Sequence, residues 1–188
     1  MTEVRRDSLG MSHVIITAVA VVTTWIIHEF AHWSVGELLG NNMVMTLNTS
    51  YPVNAVYSQP WHEHLISAAG PLITILEAIV FYFLIKKTNS RTFFPFLFTC
   101  LYMRTLAGVM NLINLNDEGR LSQALGLGTF TIPFLVFGIL LYLAFTVVQE
   151  KNYKTKHIVI TILLIMLFSS ILILSDQMMR LTIIKTSL

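Results

Sequence analysis

Long apolar runs separated by short polar segments dominate this chain. Five runs, at residues 13–39, 61–85, 93 to about 115, 128–148 and 157–174, are each long enough to cross a bilayer, which takes about 20 apolar residues per helix. Between the first two runs, residues 43–58 are rich in β-forming residues on either side of a turn-like stretch. The pattern predicts an all-α polytopic membrane protein of about five transmembrane helices, with a short β-hairpin or re-entrant segment after the first helix.

Composition supports a single membrane domain over residues 1–188. The chain is 55% hydrophobic and 12% charged, about half the charged fraction of an ordinary soluble domain. Cys100 is the one cysteine, so an internal disulfide or a thiolate cluster is excluded and a metal site must use His, Asp or Glu. A net charge of +2, with no basic tract, argues against a nucleic-acid partner. The lipid bilayer is the expected surrounding.

The first apolar run contains the pattern His28-Glu29-x-x-His32. Residues four apart share one helix face, so both imidazoles can bind one Zn²⁺, and Glu29 lies beside them where a general base for hydrolysis belongs. In a charged soluble helix, a match to this pattern is as often a chance occurrence as a true zinc site. Here, however, ionisable groups in a membrane helix cost about 2.5 to 3.5 kcal/mol each, and a divalent cation compensates them.

A catalytic zinc usually has three protein ligands, and the third must come from elsewhere in the chain. The adjacent acids Asp117 and Glu118 follow the third apolar run and are the best-placed candidates. Asn111 and Asn114, just before them, can bond exposed backbone where the helix unwinds. The alternative interpretation is a capped helix end in water.

Two further features of the second and third runs are interpreted as structural. Gly70 and Pro71 are predicted to break the second helix near its start. Arg104 is buried in the third run and needs a partner, and Glu77 in the second run lies at a similar depth. We expect this pair to hold the two helices together.

The segments around the second helix offer weaker candidates. A hairpin in residues 43–58 would lie beside the metal-bearing end of the first helix, and its free edge could hold an extended peptide, although an ordinary external loop fits as well. His62 and His64 are possible extra ligands, but residues beside Trp61 at a membrane boundary are more often simply interfacial.

The orientation follows from the distribution of lysine and arginine, which concentrate on the cytoplasmic side. With a cytoplasmic N-terminus, the inner segments hold most of these residues, namely Arg5, Arg6, Lys86, Lys87, Arg91, Lys151, Lys154 and Lys156. The outer segments hold only Arg120, Arg180 and Lys185. We therefore expect an integral protein of the bacterial inner (plasma) membrane, with the candidate site in its outer half.

A HExxH in one transmembrane helix, a Gly-Pro in the next and an Asn-rich acidic segment ending a third together resemble the site-2 protease family of intramembrane zinc metalloproteases. The resemblance implies a three-helix core over residues 13–120, two accessory helices and a tail over 128–188, and membrane proteins with a transmembrane segment as substrates. It also implies that His28 and His32 bind zinc and that Glu29 activates water. Gly70-Pro71 matches the second-helix motif.

The third motif departs from the family pattern, which is Asn-x-x-Pro, a spacer and Asp-Gly. In this chain Asn114 stands where the family has the proline. Asp117-Glu118-Gly119 stands where the family has Asp-Gly, so either acid can be the third ligand. Chemical type favours Asp117, and position relative to Gly119 favours Glu118.

The sequence thus predicts a zinc-dependent intramembrane endopeptidase. Asn111, Asn114 and the edge of residues 43–58 are candidates for holding a substrate whose helix has been locally unwound. Two alternatives remain: a membrane zinc hydrolase acting on a lipid or a modified tail, and a non-catalytic binding or transport protein with a metal-stabilised core.

Overall fold

The computed structural model describes residues 9–88 and 90–186, with side chains described as far as residue 180. Part of the predicted orientation depends on Arg5 and Arg6, which lie outside the described residues, and on Lys185, whose side chain is also outside them.

Helices account for most of the described chain, and all but one of them are apolar. They are α1 (Met11–Leu38), α2 (His62–Thr88), α3 (Phe94–Met110, preceded by a 3-10 turn at Arg91–Phe93), α4 (Asp117–Ala124), α5 (Thr131–Glu150) and α6 (Thr155–Thr186). Among the described residues, all of these except α4 are long and apolar enough to cross a membrane. The predicted fold class, an all-α polytopic membrane protein with five spans, is confirmed.

The predicted hairpin follows α1. Strand β1 (Met43–Met45) pairs antiparallel with β2 (Ser50–Pro52), with Val44 opposite Tyr51. Both strands pack against α1. The close approach depends on Gly36, since a Cβ there would overlap the side chain of Met43.

Helices α1, α2 and α3 contact one another and form the centre of the bundle, while α5 packs on α2 and α3, and α6 packs on α1 and α3. Small residues on these faces let the helices pack closely, as is usual between membrane helices. Fully buried positions include Ala20, Val21, Ala78, Leu97 and Leu140. Large apolar side chains on the outside include Ile15, Leu72, Phe83, Phe134 and Leu163. Apolar residues on both the inside and the outside fit a protein surrounded by lipid.

The third span ends earlier than predicted. Helix α3 stops at Met110, not near residue 115, and the chain turns back before α4 begins at Asp117. Asn111 closes this turn, because its side-chain oxygen accepts from the backbone N–H of Asn116 at 2.7 Å. Asn116 in turn caps α4 by accepting from the backbone N–H of Asp117 at 3.1 Å.

The predicted break in the second span is wrong, because α2 continues through Gly70 and Pro71. A proline inside a helix removes one backbone hydrogen bond. Both residues are buried against neighbouring helices, which support the backbone there.

The last helix is longer than the predicted span over 157–174, since α6 continues to Thr186. Its extension carries Asp176, which is 2% exposed and pairs with Arg180 one turn later at 2.7 Å. The same carboxylate accepts from the backbone N–H of Leu47 at 3.0 Å. Helix α6 is thereby fastened to the turn between β1 and β2.

We expect Asp176→Ala to loosen this turn, because the Leu47 N–H loses a charged acceptor worth about 1.5–3 kcal/mol, or roughly 10- to 100-fold in amide exchange. Hydrogen exchange read by mass spectrometry over residues 46–49 measures the change. Asp176→Asn is the matched control, since it keeps an oxygen acceptor. Equal exchange in the Ala variant and the wild type would contradict this role.

Candidate metal centre

Three buried side chains converge between the C-terminal half of α1 and the start of α4. The Nε2 atoms of His28 and His32 are 3.1 Å apart, and Asp117 Oδ2 lies 3.5 Å from the first and 3.3 Å from the second. Tetrahedral zinc with bonds of about 2.0–2.1 Å holds its ligand atoms roughly 3.3 Å apart. Among the described residues, these three side chains are the group whose ligand atoms lie close enough together to hold one metal ion. Two imidazole nitrogens and a carboxylate oxygen are donors that suit zinc.

Helix α2 fixes both imidazoles through their other ring nitrogen. His32 Nδ1 donates to the carbonyl of Ile66 at 2.5 Å. The Thr74 hydroxyl donates to the Gly70 carbonyl at 2.9 Å, so its oxygen accepts from His28 Nδ1 at 3.0 Å. With both Nδ1 atoms protonated, both Nε2 lone pairs point at the common centre, which is the arrangement found around bound metals.

Gly70 allows the imidazoles to lie directly against α2. A Cβ at this position would overlap His32 Nε2 together with Cε1 and Nε2 of His28. The Gly-Pro pair therefore belongs to the site, where the glycine gives space to the ligands.

Asp117 is oriented by a neighbour on its own helix. Arg120 Nη2 donates to Asp117 Oδ1 at 2.9 Å, which leaves Oδ2 facing the histidines. Burial alone would raise the pKa of Asp117, but the imidazoles of His28 and His32 beside it lower that pKa well below the usual range. The lowered pKa favours the ionised carboxylate that a metal ligand requires.

Glu118, the alternative third ligand, points elsewhere. It is 1% exposed, and its Oε1 accepts from Arg104 Nη1 at 2.9 Å. The predicted Glu77–Arg104 pair is therefore wrong, and Glu77 Oε2 is buried without a hydrogen-bond partner. The prediction compared the depths of residues along two straight helices. It did not consider an acid on α4, which the chain reaches after it turns back at the end of α3.

Glu29 lies next to the ligands and contacts the hairpin. The Ser50 hydroxyl lies 3.1 Å from Glu29 Oε2 and 2.9 Å from the Glu29 carbonyl, both of which can accept its proton. The predicted place of the hairpin, beside the end of α1 that carries His28 and His32, is confirmed.

A cavity of about 480 Å³ opens onto the three ligands and Glu29. The hairpin and the segment after it contribute polar side chains, and α6 contributes Ile173 and Gln177. No role in the site was expected of Trp25, Thr74, Arg120 or Gln177, whereas Ser50 and Tyr57 belong to the 43–58 segment whose edge was a candidate for holding a substrate. Of the first four, only Arg120 carried a usable signal, its spacing of three from Asp117 on a helix.

The remaining candidates divide into those beside the cavity and those away from it. Asn114 is exposed and lines the cavity. Asn111 is buried and both ends of its amide bond backbone groups of this chain, so here its side chain has a structural role. His62 is buried 3.1 Å from the Asn41 amide, His64 is exposed, and neither joins the ligand group.

Comparison of the chain with protein-family models, with curated proteins and with solved structures found no match. The resemblance to site-2 proteases therefore stays a prediction drawn from the motifs.

We expect Gly70→Ala to lower zinc affinity by at least about 10²-fold, because the new methyl group displaces both imidazoles from their positions. Metal analysis of the purified protein, with a chelator competition, measures the loss. Gly138→Ala in α5 is the control, since no heavy atom lies within 4 Å of its Cβ position. Full zinc binding by Gly70→Ala would show that the rings do not need this space.

Substitutions of the two adjacent acids, Asp117 and Glu118, should have different effects on zinc affinity, measured in the same way. Asp117→Asn removes the anionic ligand atom and should reduce zinc affinity by about 10²-fold or more, whereas Glu118→Gln should keep one zinc per chain. The reverse order would make Glu118 the third ligand.

Proposed function

We propose that this chain is an intramembrane zinc metalloprotease that hydrolyses peptide bonds in or near transmembrane segments of other proteins. The observation that carries the proposal is the set of three ligand atoms 3.1 to 3.5 Å apart, with Glu29 on the same cavity. Structural zinc sites usually have four protein ligands, and catalytic sites usually have three with one open position. Three ligands beside a carboxylate favour catalysis.

The chain's own residues supply the remaining chemistry. Zn²⁺, when bound there, supplies Lewis acidity to the scissile carbonyl and the attacking water. Glu29 takes the proton from that water as its oxygen bonds to the carbonyl carbon, and returns a proton to the amine as the C–N bond breaks. The Ser50 hydroxyl lies 3.1 Å from Glu29 Oε2, and Oε1 has no described hydrogen-bond partner, so it can take the proton.

A transmembrane substrate must lose part of its helix before it can react, because its carbonyls are otherwise hydrogen-bonded. The polar wall of the cavity supports this step. Asn48, Thr49 and Asn114 line it and can bond the backbone groups that unwinding exposes. The short β2 strand adds an edge close to Glu29.

The proposed orientation places this site in the outer half of the membrane, with the N-terminus in the cytoplasm. The ion pair of Lys86 and Glu150, 2.9 Å apart, brings the ends of α2 and α5 together. Both helices end in the lysine-rich segments assigned to the cytoplasm. The bacterial inner membrane remains the expected location.

We expect Glu29→Gln to reduce turnover by about 10²- to 10⁴-fold while zinc stays bound, because the amide cannot accept the proton and is not a ligand. Membrane peptides that accumulate in cells producing this variant identify the substrate by mass spectrometry. Purified wild-type and variant protein are then compared on a synthetic peptide that contains the site.

The outcomes separate the candidate functions. Zinc binding without any activity that depends on Glu29 would favour a metal-stabilised binding protein. Activity on a soluble lipid analogue, indifferent to helix-breaking residues in protein substrates, would favour the lipid hydrolase.

A further inference from the structure

The proposed reaction develops negative charge on the carbonyl oxygen, and most hydrolases place a hydrogen-bond donor at that point. Glu29 cannot serve, because it handles the proton. Among the described residues that line the cavity, two carry a cationic side chain, Arg104 and Arg120. Arg120 bonds Asp117 Oδ1, and none of its described hydrogen bonds or ion pairs reaches an imidazole.

Arg104 reaches the ligands directly. Its side chain extends from the middle of α3, is 4% exposed, and places Nη2 3.4 Å from His28 Nε2, the atom that faces Asp117. The guanidinium therefore lies in contact with the metal-binding group, on the wall of the cavity where a substrate carbonyl has to sit.

Not every Arg104 donor has an acceptor. Nη1 bonds Glu118, and Nε is buried without a hydrogen-bond partner. Nη2 lies 3.4 Å from both ring nitrogens of His28. Nδ1 donates its proton to Thr74 and cannot accept, and the Nε2 lone pair would be taken up by a bound metal, which would free Nη2. Burying an arginine donor without an acceptor is costly. A site that retains such donors beside a reaction centre is ready to bind an oxygen anion.

Glu118 compensates the buried charge of Arg104. Its carboxylate pairs with Nη1 at 2.9 Å, and the Arg104 side chain also lines the cavity. The two adjacent acids of α4 thus have separate partners, Asp117 the imidazoles and Glu118 the guanidinium.

We propose that Arg104 is a catalytic residue, which donates hydrogen bonds to the carbonyl oxygen of the scissile peptide as that oxygen becomes negative. This role rests on the proposed function. As water adds to the carbon, the C=O electron pair moves to the oxygen and is held by Arg104. When the pair returns, the C–N bond breaks and the amine leaves with the proton from Glu29.

The test uses full-length protein in detergent with two variants. Arg104→Lys keeps the charge but not the forked donors. Because Arg104→Gln alone would leave Glu118 buried and unpaired, the second is the double variant Arg104→Gln/Glu118→Gln, which removes both charges. Lys86→Gln is the control, since that lysine lies in an exposed ion pair at the other end of α2.

The probes are the cleaved peptide identified with Glu29→Gln and a phosphinic version in which a tetrahedral anion replaces the scissile amide. We expect the double variant to keep one zinc and an unchanged KM, with kcat lowered by about 10²- to 10³-fold. Its affinity for the phosphinic peptide should fall in parallel. Affinity for the uncleaved peptide, measured in the Glu29→Gln background, should not change. Arg104→Lys should recover part of both losses.

A merely structural Arg104 would give a different result. Loss of zinc in the variants, an equal loss of affinity for both peptides, or an unchanged kcat would each overturn the proposal. These results are distinct from failure of the proposed function, in which the wild type itself binds no zinc or does not depend on Glu29.

Discussion

Pairing of buried charges is the constraint on which the rest of this structure depends. Each ionisable group within a membrane helix costs about 2.5–3.5 kcal/mol unless something compensates it. Helix α1 brings His28, Glu29 and His32 into the interior, and α3 brings Arg104. The start of α4 supplies a charged partner to both helices. Asp117 faces the imidazoles of α1, and Glu118 faces the guanidinium of α3. Acids in a first helical turn are also favoured by the helix dipole. The short α4 is thus part of the core electrostatics, although it is too short to cross the membrane.

Three glycines make this convergence sterically possible, each at a different junction. A Cβ at Gly70 would overlap the imidazoles, one at Gly36 would overlap Met43 of the hairpin, and one at Gly119 would overlap the Asn111 amide. These positions join α1 to α2, α1 to β1, and the end of α3 to α4. Close packing at these three junctions brings residues that are distant in sequence near the candidate metal centre. The glycines therefore act through the space they leave free, since none of the three has a positive φ.

The sequence was informative where chemistry is local. Apolar run lengths predicted the five spans, and the spacing of His28 and His32 predicted two imidazoles on one helix face, because both depend only on helix geometry. The partner of Arg104 was missed because the depth calculation assumed continuous helices, whereas the chain reverses at Asn111. Asp117 and Glu118 could not be told apart, because neighbouring residues on a helix point about 100° apart and the entry angle of α4 decides which one faces inward. That angle is set by tertiary contacts.

The division between rigid and peripheral elements bears on how a substrate would enter under the proposed function. Buried hydrogen bonds from α2 fix both imidazoles, and Arg120 orients Asp117. The hairpin and α6 both contribute to the cavity wall. Among the described residues, the hydrogen bond from Leu47 to Asp176 joins these two elements. A transmembrane segment can therefore be admitted by separating α6 from the hairpin, at the cost of one charged hydrogen bond and some apolar packing, while the geometry around the histidines stays intact. An entry between α1 and α2 would instead break the hydrogen bonds that orient both imidazoles.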